Sequence, residues 1–178
     1  MKRFILGWVA GLATVGLVGL AVVQIGAYDV AASTPHSALV AWAVHTTMIH
    51  SVQLRSSPHP APQSDAERVA EGFREYDSDC VACHGGPGID RASWAKGMNP
   101  TPPYLLDAAR HWTPGQLFWI VKHGVKMTGM PSWEKTKSDR ELGDLVAFLE
   151  ALPTMSADDY RRMRAASKSP PKSSSLPS

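Results

Sequence analysis

The chain has 178 residues, 44% of them hydrophobic and 19% charged, with 14 prolines, two cysteines and a formal net charge of +2. That length holds one ordinary domain with a real core and little besides. So small a charge, without any run of interleaved basic and aromatic residues, argues against a nucleic-acid binder, and two cysteines cannot supply a disulfide framework.

The first predicted element is a membrane span. "MKRFILGWVAGLATVGLVGLAVVQIGAYD" carries Lys2 and Arg3 and then no charge until Asp29. As a helix, Phe4 to Ala27 would reach about 36 Å, enough to cross a hydrocarbon core of ~30 Å. With Lys2 and Arg3 on the cytoplasmic side, the rest of the chain goes to the outer face. A cleaved signal peptide is the rival reading, because Val30 and Ala32 have cleavage-site spacing; the run exceeds a usual signal core of roughly 7 to 15 residues, so residues 1–28 are assigned as a retained transmembrane anchor.

Residues 29–63 read as a membrane-proximal segment. Thr34 caps a short helix opened by Pro35, "SALVAWAVHTTMIH" is apolar enough to lie at the interface with Trp42 as its anchor, and "RSSPHPAPQS" is a stiff proline-rich linker. His45 and His50, five apart, do not share a helical face, and a solvated or interfacial role suits them better than ligation.

Three helices follow, each announced by its own cap. Ser64 with Glu67 precedes "AERVAEGFREYDSDC", in which Val69, Phe73 and Tyr76 recur at helical spacing. Thr113, Pro114 and Gln116 precede "LFWIVKHG", closed by Gly124. Ser138 with Glu141 precedes "LGDLVAFLEALP", stopped by Pro153. No stretch alternates as a strand does. The domain is therefore expected to be all-α and to run over residues 64–156. Residues 157–178 are set apart as a basic, Ser/Pro-rich disordered tail, in which "YRRMR" reads as a solvated helix end.

Between the first two of these helices, residues 84–112 form a long Gly/Pro-rich connection. Loops of that length in a small domain usually surround something, and three short helices bury little on their own. The object they surround is indicated by "DCVACHGG": Cys80, Cys83 and His84 spell C-x-x-C-H, the attachment signal for a c-type haem. Residues i and i+3 at a helix end share a face, so both thiols can reach the vinyl groups of one porphyrin, while His84 offers the iron a nitrogen. A thioredoxin-like motif would need a βαβ setting, and a zinc site would need a second pair of ligands at metal spacing. Neither is present in the sequence.

A second axial ligand is sought in "HGVKMTGMPSW", where Gly129 lets the backbone approach closely and Pro131 biases Met130 toward an extended conformation that presents its sulfur from a loop. Met127 is the nearest competitor, followed by Met98, His111 and His123. A His84/Met130 pair holds the potential high relative to two histidines.

From about Ser64 to Pro153 the chain resembles a class I cytochrome c domain of the single-haem, membrane-anchored bacterial kind, similar to those of oxidase-associated subunits. The resemblance rests on "GFREYDSDCVACHGG", "PPYLL", "MTGMPSW" and "LVAFLEALP". It implies a small domain of about three main helices wrapped around one covalently attached haem c with its iron, plus the N-terminal transmembrane helix. It implies that Gly72 and Phe73 pack near Phe148 where the first helix crosses the last. It also implies that Pro103 gives its carbonyl to the ring N–H of His84 and that Leu105 lies against the porphyrin. Because the stretch from Ile89 to Pro102 is longer than in compact members, Pro102 competes with Pro103 for that role. Trp94, Trp112, Trp119 and Trp133 are candidates to wall the pocket.

With both axial positions filled by protein, the chemistry left is one-electron transfer at the haem edge. The expected function is a carrier, not an enzyme, on the outer face of the inner membrane, serving redox partners such as an oxidase or dehydrogenase complex. A haem-based gas sensor is the alternative, and rapid CO binding would favour it. Lys122, Lys126, Lys135, Lys137 and Arg140 flank Met130 and predict either a basic docking edge or an ordinary solvated face.

Overall fold

The computed structural model describes residues 1–56 and 65–168. The described residues form α-helices and short 3-10 turns with no strand, in agreement with the all-α expectation; an isolated bridge pairs Gly86 with Ile89. The chain divides into two compact units, Met1–Pro35 and His36–Ser178.

The first unit is built on α1, Lys2–Gln24, whose 23 residues have a mean hydropathy of 2.2. It is long and apolar enough to cross a membrane. Its side chains are exposed all round, and a helix that is hydrophobic on every face is stable only when something apolar covers it.

The second unit opens with α2, Ala38–Arg55. Its cap is Ser37, whose hydroxyl accepts from Val40 N at 3.4 Å, so the helix starts after Thr34 and Pro35. At 18 residues it is longer than the short helix expected, because it gains tertiary support: Val52 is buried, and α2 packs against α6, Pro114–His123. The proline-rich linker, from residue 57 on, lies outside the described residues.

The core is made chiefly by α3, Ala66–Asp79, and α7, Asp139–Ala151. Asp65 caps α3, accepting from Arg68 N at 2.9 Å; the cap expected at Ser64 lies outside the described residues. Both later capping boxes form, Thr113 with Gln116 on α6 and Ser138 with Glu141 on α7. Gly72 is what lets α3 meet α7 closely: a Cβ there would overlap the backbone carbonyl of Asp144 and stand 2.9 Å from Leu145 Cα. Next to it Phe73 meets Phe148 edge-on, ring centroids 5.6 Å apart. Arg68 Nε reaches the buried Asp144 carboxylate at 2.6 Å, which compensates the charge taken into the interface.

Two short helices hold the connections: α4, Val81–His84, directly after α3, and α5, Leu105–Ala108, late in the long connection. The segment expected as a disordered tail from residue 157 differs. It forms α8, Ala157–Lys168, whose Tyr160 is fully buried with its ring 5.1 Å from Phe73, while Tyr160 and Arg164 both bond Asp77 of α3. One buried aromatic outweighs a polar composition when a pocket between helices is there to receive it. The remainder of that tail, from residue 169, lies outside the described residues.

Candidate functional site

The site grows from the end of α3. Cys80 ends α3 and caps α4, so Cys80, Cys83 and His84 occupy a single turn whose N–H groups of Cys83 and His84 both return to Cys80 O. The turn closes on Gly85 at φ +67°, a conformation that suits glycine, and a Cβ there would stand 2.9 Å from the Tyr104 ring. Tyr76, fully buried, donates its hydroxyl to Gly85 O at 2.6 Å and ties the turn to the core.

Both cysteines are free and half-buried. Burial, reinforced by Asp79, pushes the Cys80 thiol up to about 12. A neutral thiol of this kind is a poor metal ligand and a poor redox nucleophile. Among the described residues no cluster of three or more His, Cys, Asp or Glu side chains is arranged to hold a metal ion.

His84 is oriented by one contact, its Nδ1 lying 2.8 Å from Pro103 O. A carbonyl only accepts, so Nδ1 carries the proton and Nε2 keeps its lone pair. Burial lowers the His84 pKa, the bond to Pro103 opposes it and the positive Arg91 adds to it, a balance that favours the neutral imidazole, the form able to act as a metal ligand. Of the two adjacent prolines, Pro103 faces His84, and the carbonyl of Pro102 accepts from Arg91 instead.

The remaining candidates lie around the same core. Leu105, Trp112, Phe118, Met130 and Trp133 are partly buried against it, leaving apolar surface that the protein's own fold does not cover. Met130 sits in a tight loop: its N–H donates to Thr128 Oγ1 at 3.1 Å, its carbonyl accepts from Val125 N at 3.3 Å, and Gly124 packs under Met130 and Pro131. Met98 lies over Gly129 in that loop. Met127, at φ 61°, is 82% exposed. His111 and His123 are exposed, His123 stacking on Trp119 and lying 3.6 Å from Glu134. Trp94 is exposed as well.

The basic edge is smaller than the sequence suggests. Lys137 is half-buried between Glu75 and Asp79, Lys122 pairs with Asp139 at 2.7 Å, and Arg140 lies 4.0 Å from Asp144. Lys126 and Lys135 are left as the cations beside the methionine loop that have no ion-pair partner among the described residues. Sequence reasoning assigned no role to Asp90 and Arg91, which act through contacts with residues 102–104, and gave Tyr76 only a place on a helical face.

The donor set thus fits a covalently held haem: two free thiols on one turn, an imidazole whose Nδ1 is held by a carbonyl with Nε2 free, and an uncovered apolar wall with a thioether beside it. Residues 67–149 match the family model described as cytochrome c oxidase, cbb3-type, subunit III. No curated protein matches the chain. The all-helical fold, the attachment turn and this match together identify residues 67–149 as a class I c-type cytochrome domain, a haem-based electron carrier whose cofactor is covalently bound haem c with its iron.

Proposed function

We propose that the chain is a membrane-tethered, single-haem cytochrome c that passes one electron at a time between redox partners on the outer face of the inner membrane, and that it is not an enzyme. The observation that carries this reading is the pairing of His84 Nδ1 with Pro103 O beside two free cysteines on one turn. In it Cys80 and Cys83 would hold the haem through thioethers, His84 and Met130 would ligate its iron, Pro103 would orient the imidazole, and Leu105 would lie against the porphyrin. The bound haem supplies reversible one-electron chemistry at its iron. With His84 and Met130 both holding the iron and Leu105, Trp112 and Trp133 keeping water from it, no coordination site would be left open for a substrate.

Tethering is supported by α1, an uninterrupted apolar helix preceded by Met1 and opened by Lys2 and Arg3. The matched family's description as an oxidase subunit supports a partner in a membrane oxidase complex. Lys126 and Lys135 beside the methionine loop suit an acidic docking surface.

The test is a denaturing gel stained for haem peroxidase activity on membrane and soluble fractions of cells able to mature c-type cytochromes. Staining at full-length mass in the membrane fraction supports covalent haem and a retained anchor together. A shorter, soluble stained band turns residues 1–32 into a cleaved leader and the protein into a diffusing carrier. Unstained protein refutes the site. Rapid CO binding by the reduced holoprotein would instead favour a gas-binding module with a labile Met130.

A further inference from the structure

Arg91 lies in the Gly/Pro-rich connection between α4 and α5 and is only 9% exposed. A buried guanidinium is costly unless its N–H groups and charge are met. Arg91 meets them without a direct carboxylate partner: Nη1 donates to Pro102 O, and the guanidinium carbon lies 3.7 Å from the centroid of the Tyr104 ring. The neighbouring Asp90 completes the grip, its carboxylate accepting from the Tyr104 hydroxyl, from Lys96 and from Arg91 N at 2.8 Å.

The need for such a grip follows from the sequence. Pro102 and Pro103 have no N–H, so this dipeptide cannot be fastened by backbone donors and can be held only through its carbonyls. Arg91 takes one carbonyl and His84 the other. The Tyr104 ring lies against the guanidinium and also close to Gly85, the residue after His84, where a Cβ would stand 2.9 Å from it. A closed circuit results, running from His84 through Pro103 and Tyr104 back to Gly85, with Arg91 as its outer plate.

We propose that Arg91 is a positioning residue for His84: by holding residues 102–104 it keeps the Pro103 carbonyl on Nδ1 and so fixes the direction of Nε2. This rests on His84 being the iron ligand. A looser Pro103 contact makes the imidazole a weaker donor and raises the midpoint potential, whereas loss of a nearby positive charge lowers it. Arg91→Lys separates the two, because it keeps the charge and removes the planar fork and the stacking face.

The experiment uses the full holoprotein matured in cells, with R91K, R91Q and Y160F compared with the parent. Solvent exchange of the His84 Nδ1–H is followed by NMR in the reduced state, alongside potentiometry and thermal unfolding. R91K is expected to raise the exchange rate by at least about tenfold, the size that follows from losing one hydrogen bond from a charged donor, and to shift the potential upward. Y160F keeps the ring against Gly86 and removes only the hydroxyl that bonds Asp77, so it should leave both at the parental values. Parental exchange and potential in R91K would overturn the proposal, as would an equal acceleration in Y160F at matched thermal stability. If R91Q does not accumulate as holoprotein, R91K alone decides. A parent protein that lacks an iron-bound His84 signal would refute the site reading itself, a result distinguishable from a normal signal that is indifferent to Arg91.

Discussion

Replacing Gly72 with alanine tests the crossing on which the rest of the domain is built. At an open helical position this change gains about 1 kcal/mol of helix propensity. Here the new methyl would overlap the Asp144 carbonyl and lie 2.9 Å from Leu145 Cα, and both obstacles are backbone that no rotamer change can clear. Reaching ordinary van der Waals contact with Leu145 Cα alone requires a shift of roughly half an ångström, and the carbonyl demands more; a gap of 0.5–1 Å forfeits about a quarter to a half of the dispersion energy of the atoms it separates. The residues so parted include Phe73, Tyr76, Leu145 and Phe148, all buried. Overpacking costs about 1–3 kcal/mol, and a backbone obstacle belongs at the upper end. A net loss of about 2–3 kcal/mol lowers Tm by roughly 8–24 °C in a domain of this size. The assay is thermal unfolding of the holoprotein followed by far-ultraviolet circular dichroism. An unchanged or higher Tm for G72A would refute the close approach of α3 and α7.

Met130→Leu is expected to abolish the thioether-to-iron absorption of the ferric protein and lower the potential, while Met127→Leu, at an 82% exposed position, leaves both unchanged; the reverse pattern would move the ligand. Tyr160→Ala should cost about 3–5 kcal/mol, like other buried aromatic deletions, and Tyr160→Phe only about 1 kcal/mol for its bond to Asp77; equal Tm values for the two would mean that α8 is not docked. Lys137→Met leaves Glu75 and Asp79 without their shared cation beside Cys80 and should cost about 2 kcal/mol at pH 8, between an exposed and a buried pair. Burial works against the Lys137 charge, but its bonds to Asp79 and Glu75 prevail and raise its pKa. Its contribution is therefore complete below the unfolded value of about 10.4 and is lost as pH rises through the higher folded one. The Tm difference between parent and variant should accordingly shrink in the alkaline range; a difference that grows there would contradict the ion pair.

What could be read directly from the chain was local. Cys80, Cys83 and His84 lie within five residues, so their chemistry needs only one helical turn, and the caps at Thr113 and Ser138 concern side chains and amides three residues apart. The apolar run of α1 was legible for the same reason, since crossing a bilayer is a matter of length and composition. Tertiary structure decided whatever depends on segments meeting. Five cations near Met130 looked like one basic edge until Lys137 was drawn to Glu75 and Asp79, 62 and 58 residues away in the chain, and Lys122 to Asp139. The polar stretch after Ser156 became a packed helix because Phe73 and Gly86 leave room for one tyrosine ring. Arg91 looked like any loop arginine, and only the folding back of two prolines, which have no amide to anchor them, brings it to the Pro102 carbonyl, one residue before the carbonyl that faces His84.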